Sequence, residues 1–344
     1  MITEIVDELD CGAYEKFIKE SNDSTFYHSI KHLNFLKQIL QLSPKFVVAK
    51  KENEIIGVMP FFSKKSSGGE VVNSLPFFGS YGGLVSKSIE AEKNILESMN
   101  NYNKENDILS SVIITSPFVK RGELYQQRYK HNLQENRLIQ CLIISEKSES
   151  LLWDGFEQRV RRAVRKSMKY GVKSRRLELN EADMKNFYEM HKRDMESKNG
   201  KPKPPEFFKS LIENFVYGED CEIFAASMNG VDVAYLLVFY YGQFTEYYMP
   251  AYNAELKNLQ ATSLLIWESI KESIQRKSFY YNFGGTWKNQ QELYLYKRGW
   301  SATDFSYVYY IHGNIARARE IGLQGIKEQY PYFYVFPYEE IQKK

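Results

Sequence analysis

The feature that most constrains this chain is a unit that occurs twice. Phe46–Lys50 reads as an apolar strand, Lys51–Glu54 as a polar turn and Ile55–Phe62 as a second strand. In the second half, Glu222–Ala226, Met228–Gly230 and Val231–Tyr241 repeat that order. Asn229-Gly230 between apolar runs is the strongest short hairpin signal. Each hairpin follows an amphipathic segment of helical period, Ile30–Leu40 and then Phe207–Tyr217. Each leads on to a helix and a strand: Ala91–Asn101 with Ser111–Thr115, and Leu259–Arg276 with Phe279–Phe283. Ala49 and Ala226 lie 177 residues apart, about half of the 344-residue chain. The pattern predicts an α/β (α+β) fold with two copies of one unit, each a mixed sheet flanked by helices.

The length exceeds one ordinary core, and two domains fit it: 1–148 and 149–344. Within the second, 149–175 is expected to be a basic connecting helix. Phe156, Val160, Val164 and Met168 recur every four residues, which predicts one helix over Trp153–Tyr170. Lys201–Pro205, KPKPP, reads as a rigid extended loop before a helix. Residues 314–344 read as a helix to about Glu328 and an aromatic tail.

Net charge is only +3, which gives no general coat for nucleic acid. Cys11, Cys141 and Cys221 are odd in number and far apart, so neither a disulfide framework nor a CxxC metal motif is expected. The histidines (His28, His32, His131, His191, His312) show no metal spacing, and no GxSxG, Walker or Rossmann fingerprint occurs. The acidic start MITEIVDELD is no signal peptide, and the longest apolar runs are strand-sized. A soluble cytoplasmic protein without bound metal is expected, with contact to the inner face of a membrane left open.

Four segments carry a resemblance: Phe26–Lys37 (FYHSIKHLNFLK), Arg161–Val172 (RRAVRKSMKYGV), Met190–Phe208 with KPKPPEFF, and Asn282–Trp300, where NFGG precedes LYKRGW. In order and spacing they resemble the FemABX aminoacyltransferases and the related acyltransferases called BioF2-like, over nearly the whole chain. The resemblance implies two tandem GNAT-like (acetyltransferase-fold) domains. It also implies transfer of an aminoacyl group from tRNA, or another acyl group, to an amine of a nucleotide- or lipid-linked cell-envelope, peptidoglycan or surface-glycan precursor. No tightly bound cofactor is implied; the donor is itself a substrate, aminoacyl-tRNA or acyl-CoA.

The resemblance assigns roles residue by residue. Lys297, with Tyr296 in the place of the family's phenylalanine, falls on a lysine that holds the donor or stabilises charge at the reacting carbonyl. A fixed ammonium near a developing oxyanion lowers the barrier, such donors being worth ~3 kcal/mol. Gly284 and Gly285 let a donor approach the backbone closely. Lys37 and Lys203 fall on residues that bind the acceptor's diphosphate. Lys203 replaces an arginine, which keeps the charge but loses the bidentate fork. Ser111 and Ser116 stand where muropeptide-binding relatives carry a tyrosine and an aspartate, which points to a different acceptor.

Arg161, Arg162 and Arg165 on the basic helix are candidates for tRNA phosphates; a solvated helix face is the alternative. Lys257–Thr262, where the GNAT coenzyme A loop belongs, has no glycine, which counts against acetyl-CoA. Gly79-Ser-Tyr-Gly82-Gly83 reads as a turn. Glu246 and Glu255 are candidates to accept a proton from the attacking amine. Two rival readings remain: an acyl-CoA N-acetyltransferase of a surface sugar, and a non-catalytic glycan- or nucleotide-binding protein.

Overall fold

The computed structural model describes residues 1–77, 80–287 and 289–343. The chain forms two compact units: Met1–Leu138 joined by the segment from Ser306, and Ile139–Phe305. In chain order the elements are β1 (Ile2–Val6), α1 (Cys11–Glu20), α2 (Ile30–Leu40), β2 (Lys45–Lys51), β3 (Glu54–Ser66), β4 (Gly69–Asn73), β5 (Val85–Ser86), α3 (Ile89–Glu105), β6 (Ile108–Ile114), α4 (Gly122–Arg128) and β7 (Leu133–Ile143). There follow α5 (Glu149–Gly155), α6 (Gln158–Lys169), β8 (Lys173–Arg176), α7 (Glu181–Ser197), α8 (Pro205–Asn214), β9 (Cys221–Met228), β10 (Val231–Tyr241), β11 (Phe244–Tyr252), α9 (Ala261–Gln275), β12 (Tyr280–Thr286), α10 (Gln291–Gly299), β13 (Thr303–Gly313), α11 (Ile315–Gln329) and α12 (Tyr338–Gln342).

The repeat expected from the sequence is present. The first unit runs β2-β3-β4-α3-β6, and β4 lies parallel to β6. The second runs β9-β10-β11-α9-β12, and β11 lies parallel to β12. Both hairpins turn on two left-handed residues, Glu52-Asn53 (φ 50° and 68°) and Asn229-Gly230 (φ 52° and 79°). That geometry matches the right-handed strand twist. Sheet order is β1-β2-β3-β4-β6-β13 in the first unit and β12-β11-β10-β9-β8 in the second.

Two sequence expectations are corrected. Residues 314–344, placed with the second domain, pack in the first unit instead. There β13 pairs antiparallel with β6, the Tyr330 hydroxyl donates to Gly69 O (2.9 Å), and buried Asn73 exchanges two 2.8 Å hydrogen bonds with the Tyr334 backbone. These non-local bonds leave no periodic trace in the tail. The expected single helix Trp153–Tyr170 is two helices. Phe156 is extended (ψ 147°), and its ring lies 5.6 Å from Trp267 and 5.1 Å from Trp300. Packing one aromatic between two others outweighs one turn of helix. Within the segment Asn282–Trp300, NFGG lies on β12 and LYKRG on α10.

In the second unit α6 and α9 cover one sheet face, with Val160, Val164, Leu265, Ile266, Ile270 and Trp300 in one core cluster. On the other face Phe187, Phe207, Phe208 and Phe215 pack against Tyr235, Phe239 and Tyr248. Two covered faces explain why β10 is apolar along nearly its whole length.

Candidate functional site

The parallel ladder between β11 and β12 is short. It pairs Phe244 with Tyr280, Thr245 with Tyr281 and Glu246 with Asn282, then stops, although both strands continue. The sequence explains the parting. Tyr248 is an extra residue in the register of β11 against β10, a bulge that bends a strand. Pro250, two residues on, has no N–H to give to a ladder. The parted strands form a fork, and on one of its faces the rings of Tyr247 from β11 and Phe283 from β12 lie with centroids 5.6 Å apart.

Lys297 is buried beneath the end of β12. Its ammonium donates to Gly284 O (3.0 Å), Gly285 O (2.7 Å) and Thr286 Oγ1 (2.9 Å), so all three N–H groups have acceptors. Gly284 has φ +73° with open space around its missing Cβ, so backbone conformation, not crowding, selects glycine there. Burial drives the Lys297 pKa down to about 7, and the Cys141 sulfur opposes that shift. Gly299, two residues on, admits α6 closely: a Cβ there would lie 3.0 Å from Val160 Cγ2.

A second buried network adjoins the first. Asn282 donates from Nδ2 to Glu246 Oε2 (2.7 Å), and its Oδ1 accepts from the Gly284 N–H (2.8 Å) and the Cys141 thiol (3.4 Å). Burial raises the Cys141 pKa well above the ordinary thiol value, with the Glu246 charge adding to it. The thiol therefore stays protonated and is no nucleophile. Thr286 donates to Gln140 Oε1 (3.1 Å) and ties the Lys297 cluster to β7.

Lys297, Gly284 and Gly285 are thus brought together, whereas half-buried Tyr296 packs against the core, its ring 6.5 Å from that of Trp300. Glu246 belongs to the adjoining network, whereas Glu255 is exposed on the turn Ala254–Leu259. Lys203 is half-buried in the second unit, its ammonium 5.6 Å from the Phe207 ring and 5.5 Å from that of Tyr248, the bulge residue. Burial lowers its pKa to about 8. Arg161 donates to Asp154 O (2.8 Å) and Arg165 lies over the Trp153 ring (5.3 Å), while Arg162 is exposed.

In the first unit Lys37 is exposed on the last turn of α2. Ser111 is fully buried with its Oγ accepting from Tyr129 OH (3.0 Å), and Ser116 Oγ accepts from the Phe118 N–H (3.3 Å). Of the glycine-rich turn, Gly79 and the preceding Phe78 lie outside the described residues. Gly82 faces the His28 ring, 2.6 Å from where a Cβ would stand.

Sequence reasoning missed Asn282, Cys141, Thr286 and Gln140. The available signal was Asn282 itself, an amide inside an apolar strand that must find partners when buried. The missing glycine at Lys257–Thr262 is also less informative than expected. Gln260 adopts the left-handed conformation (φ 56°) that glycine supplies elsewhere, and α9 starts after it without a side-chain cap. Among the described residues no helix is long and apolar enough to cross a membrane, and no group of three or more His, Cys, Asp or Glu is placed to hold a metal ion.

Residues 155–298 match the family model described as acetyltransferase (GNAT) domain. No curated protein matches the sequence. Among solved structures, the chain is similar to FemX, with TM-score 0.70 and 16% identity over 90% of this chain and 97% of that one. It is also similar to the C-terminal domain of a putative lysylphosphatidylglycerol synthetase from Agrobacterium fabrum (TM-score 0.58, 7% identity, 94% and 98% covered). A tandem GNAT protein from the clavulanic acid biosynthesis pathway gives TM-score 0.57 at 9% identity, with 90% and 98% covered. The tandem GNAT fold that the four sequence segments implied is the fold of this chain, and its second unit carries an acyltransferase domain.

Proposed function

Starting from a GNAT acyltransferase domain over residues 155–298, we propose that this protein transfers an aminoacyl or other acyl group to an amine of a nucleotide- or lipid-linked envelope or surface-glycan precursor. The observation that carries the reading is the fork between β11 and β12 with a lysine buried under one of its arms. In the reaction the acceptor amine attacks the donor carbonyl. A C–N bond forms, the ester C–O (or thioester C–S) bond breaks, and one proton leaves the nitrogen.

In this proposal Lys297 acts first by position. Its three hydrogen bonds fix the Gly284–Thr286 backbone, the edge along which a donor would lie, and its charge biases the site toward a developing oxyanion. Direct contact with the donor oxygen requires exchange of one of those bonds. Glu246, joined to that edge through Asn282, is the better placed of the two sequence candidates to take the proton. Lys203 is proposed to meet acceptor phosphate in the second unit. Lys37 carries the same proposal in the first unit, and each is tested alone.

The donor separates two readings. An aminoacyl-tRNA donor is supported by the cations of α6. An acyl-CoA donor is supported by the uncapped start of α9 behind Gln260, where backbone N–H groups suit a pyrophosphate. The test offers the purified protein charged tRNA or acetyl-CoA together with amine-bearing sugar-nucleotide and lipid-linked precursors, and seeks a new amide by mass spectrometry. An amide from one donor class, lost in a folded Lys297→Ala variant, is expected. Tight precursor binding with no amide from any donor would sink the enzyme reading in favour of a binding protein.

A further inference from the structure

The last turn of α7 holds an arrangement that no part of the reaction above uses. Asp194 is buried, its side chain only 2% exposed, while Lys198 four residues on is 47% exposed. The Lys198 ammonium is 2.6 Å from Asp194 Oδ1 and 4.5 Å from the centre of the Tyr252 ring, at the far end of β11. Asp194 Oδ1 is thus a buried oxygen whose close partner is a half-exposed cation. An ordinary i,i+4 pair on a helix keeps both partners in water and is worth a few tenths of a kcal/mol. Burying the carboxylate costs far more than that pair returns, so ion pairing does not account for the arrangement.

Its surroundings point to a ligand. One turn earlier, His191 Nε2 accepts the Lys203 backbone N–H (3.0 Å), which leaves the proton on Nδ1. That Nδ1 is buried with no acceptor. Tyr252, which Lys198 overlies, packs with Tyr247 and Tyr296 against the core cluster that contains Phe283, so these side chains share one neighbourhood. Tyr247 lines the fork and Tyr296 adjoins Lys297. Asp194 borders that neighbourhood through the cation that it shares with Tyr252, and a buried carboxylate near an aromatic face is what recognises an ammonium group.

We propose that Asp194 and Tyr252 form a site for the primary ammonium group of a substrate, which Lys198 occupies until that substrate displaces it. The exposure of Lys198 lets it swing into water without unpacking the helix. The proposal rests on reading the fork as the place of acyl transfer. It names the feature that substrate must carry: a free amine, either the α-amine of an aminoacyl donor or the amine of the acceptor.

The test is binding to the intact protein, followed by NMR, with alaninamide, n-butylamine and, as an amine-free control, propionamide. Alaninamide or butylamine should perturb the Tyr252 ring, and propionamide should not. Preference for alaninamide assigns the site to an aminoacyl donor; preference for butylamine assigns it to the acceptor. Removing the plug with Lys198→Ala should tighten amine binding ~5-fold or more, and Asp194→Asn should weaken it ~10-fold. Lys198→Gln serves if the alanine variant does not fold. Equal binding of propionamide, or amine affinity indifferent to both substitutions, overturns the proposal. Amine binding that behaves as expected in a protein that forms no amide would instead sink the transfer reading alone.

Discussion

The Lys297 ammonium lies 2.7 Å from the Gly285 carbonyl and 3.0 Å from that of Gly284, so one side chain of α10 gathers two successive carbonyls of β12. Successive carbonyls of a regular strand point to opposite sides. They converge here because Gly284 has φ +73°. Lysine and glycine therefore depend on each other. Lys297→Met removes the charge and leaves the buried Thr286 Oγ1 and the less buried Gly284 and Gly285 carbonyls without their donor, at a cost of ~1–3 kcal/mol for the acceptor that water cannot reach. Transfer activity should fall ~100-fold or more, with a Tm lowered by several degrees. A variant that loses stability but keeps full turnover would confine Lys297 to the fold.

The same lysine makes stability depend on pH, and the sign follows from burial. Its pKa falls from 10.5 in the free side chain to about 7 in the folded chain. Below pH 7 both states are protonated, and the folded protein bears the whole cost of the buried charge. Between pH 7 and 10 the unfolded chain binds more protons, so stability rises with pH. The full difference is roughly 5 kcal/mol. Lys203, lowered to about 8, adds slope in the upper part of that window. Urea denaturation at pH 6.5, 8 and 9.5 should give a rise in wild type that is visibly shallower in Lys297→Met. Parallel curves would mean that Lys297 does not titrate near neutrality.

Much of the fold was readable because the repeat rests on local signals. Asn229-Gly230 dictates its turn, and α2 runs over Ile30–Leu40, as the apolar period of that segment predicts. α10 was not readable as a helix: it exposes Leu293 and Leu295 and buries Lys297, the reverse of an amphipathic pattern. Lys297 was legible only through resemblance, since nothing local distinguishes a buried lysine from an exposed one. Asp194 and Lys198 look like any helical ion pair until the burial of one partner is seen. The fork needed the register of three strands, which pairing decides and composition does not.

Gly284→Ala separates backbone strain from steric exclusion. No atom lies within 4 Å of the added Cβ, so the cost is the left-handed conformation alone, ~1–2 kcal/mol. If the converging carbonyls matter for transfer, activity should drop by more than the small change in stability explains, because relaxing φ turns one carbonyl away from Lys297. Differential scanning calorimetry and turnover on the same sample decide it. Proportionate losses in both would count against a functional role for the turn.

Asn282 links Glu246, Cys141 and the Gly284 N–H, so Asn282→Ala removes three bonds at once. A loss of ~2–4 kcal/mol in chemical denaturation is expected from groups left buried without that partner. Asn282→Asp should be worse, since it sets a carboxylate against Glu246. A milder effect for aspartate than for alanine would show that Glu246 is protonated in the folded chain.

The cations of α6 give the sharpest test of the donor. Val160, Val164 and Ser167 face the core, which turns Arg162, Arg165, Lys166 and Lys169 outward on the opposite side of the helix. Arg161 differs, because its bond to Asp154 O engages it with the chain. If tRNA delivers the acyl group, Arg162→Gln with Lys166→Gln should weaken binding of charged tRNA. The slope of log affinity against log salt should also fall, by about one for each phosphate no longer neutralised. Tm should hardly move, as these side chains lie outside the core. Turnover with acetyl-CoA, if that is the donor, should not respond. Salt-independent RNA binding, or binding indifferent to both substitutions, would remove tRNA from this face and leave the uncapped start of α9 as the place to look for the donor.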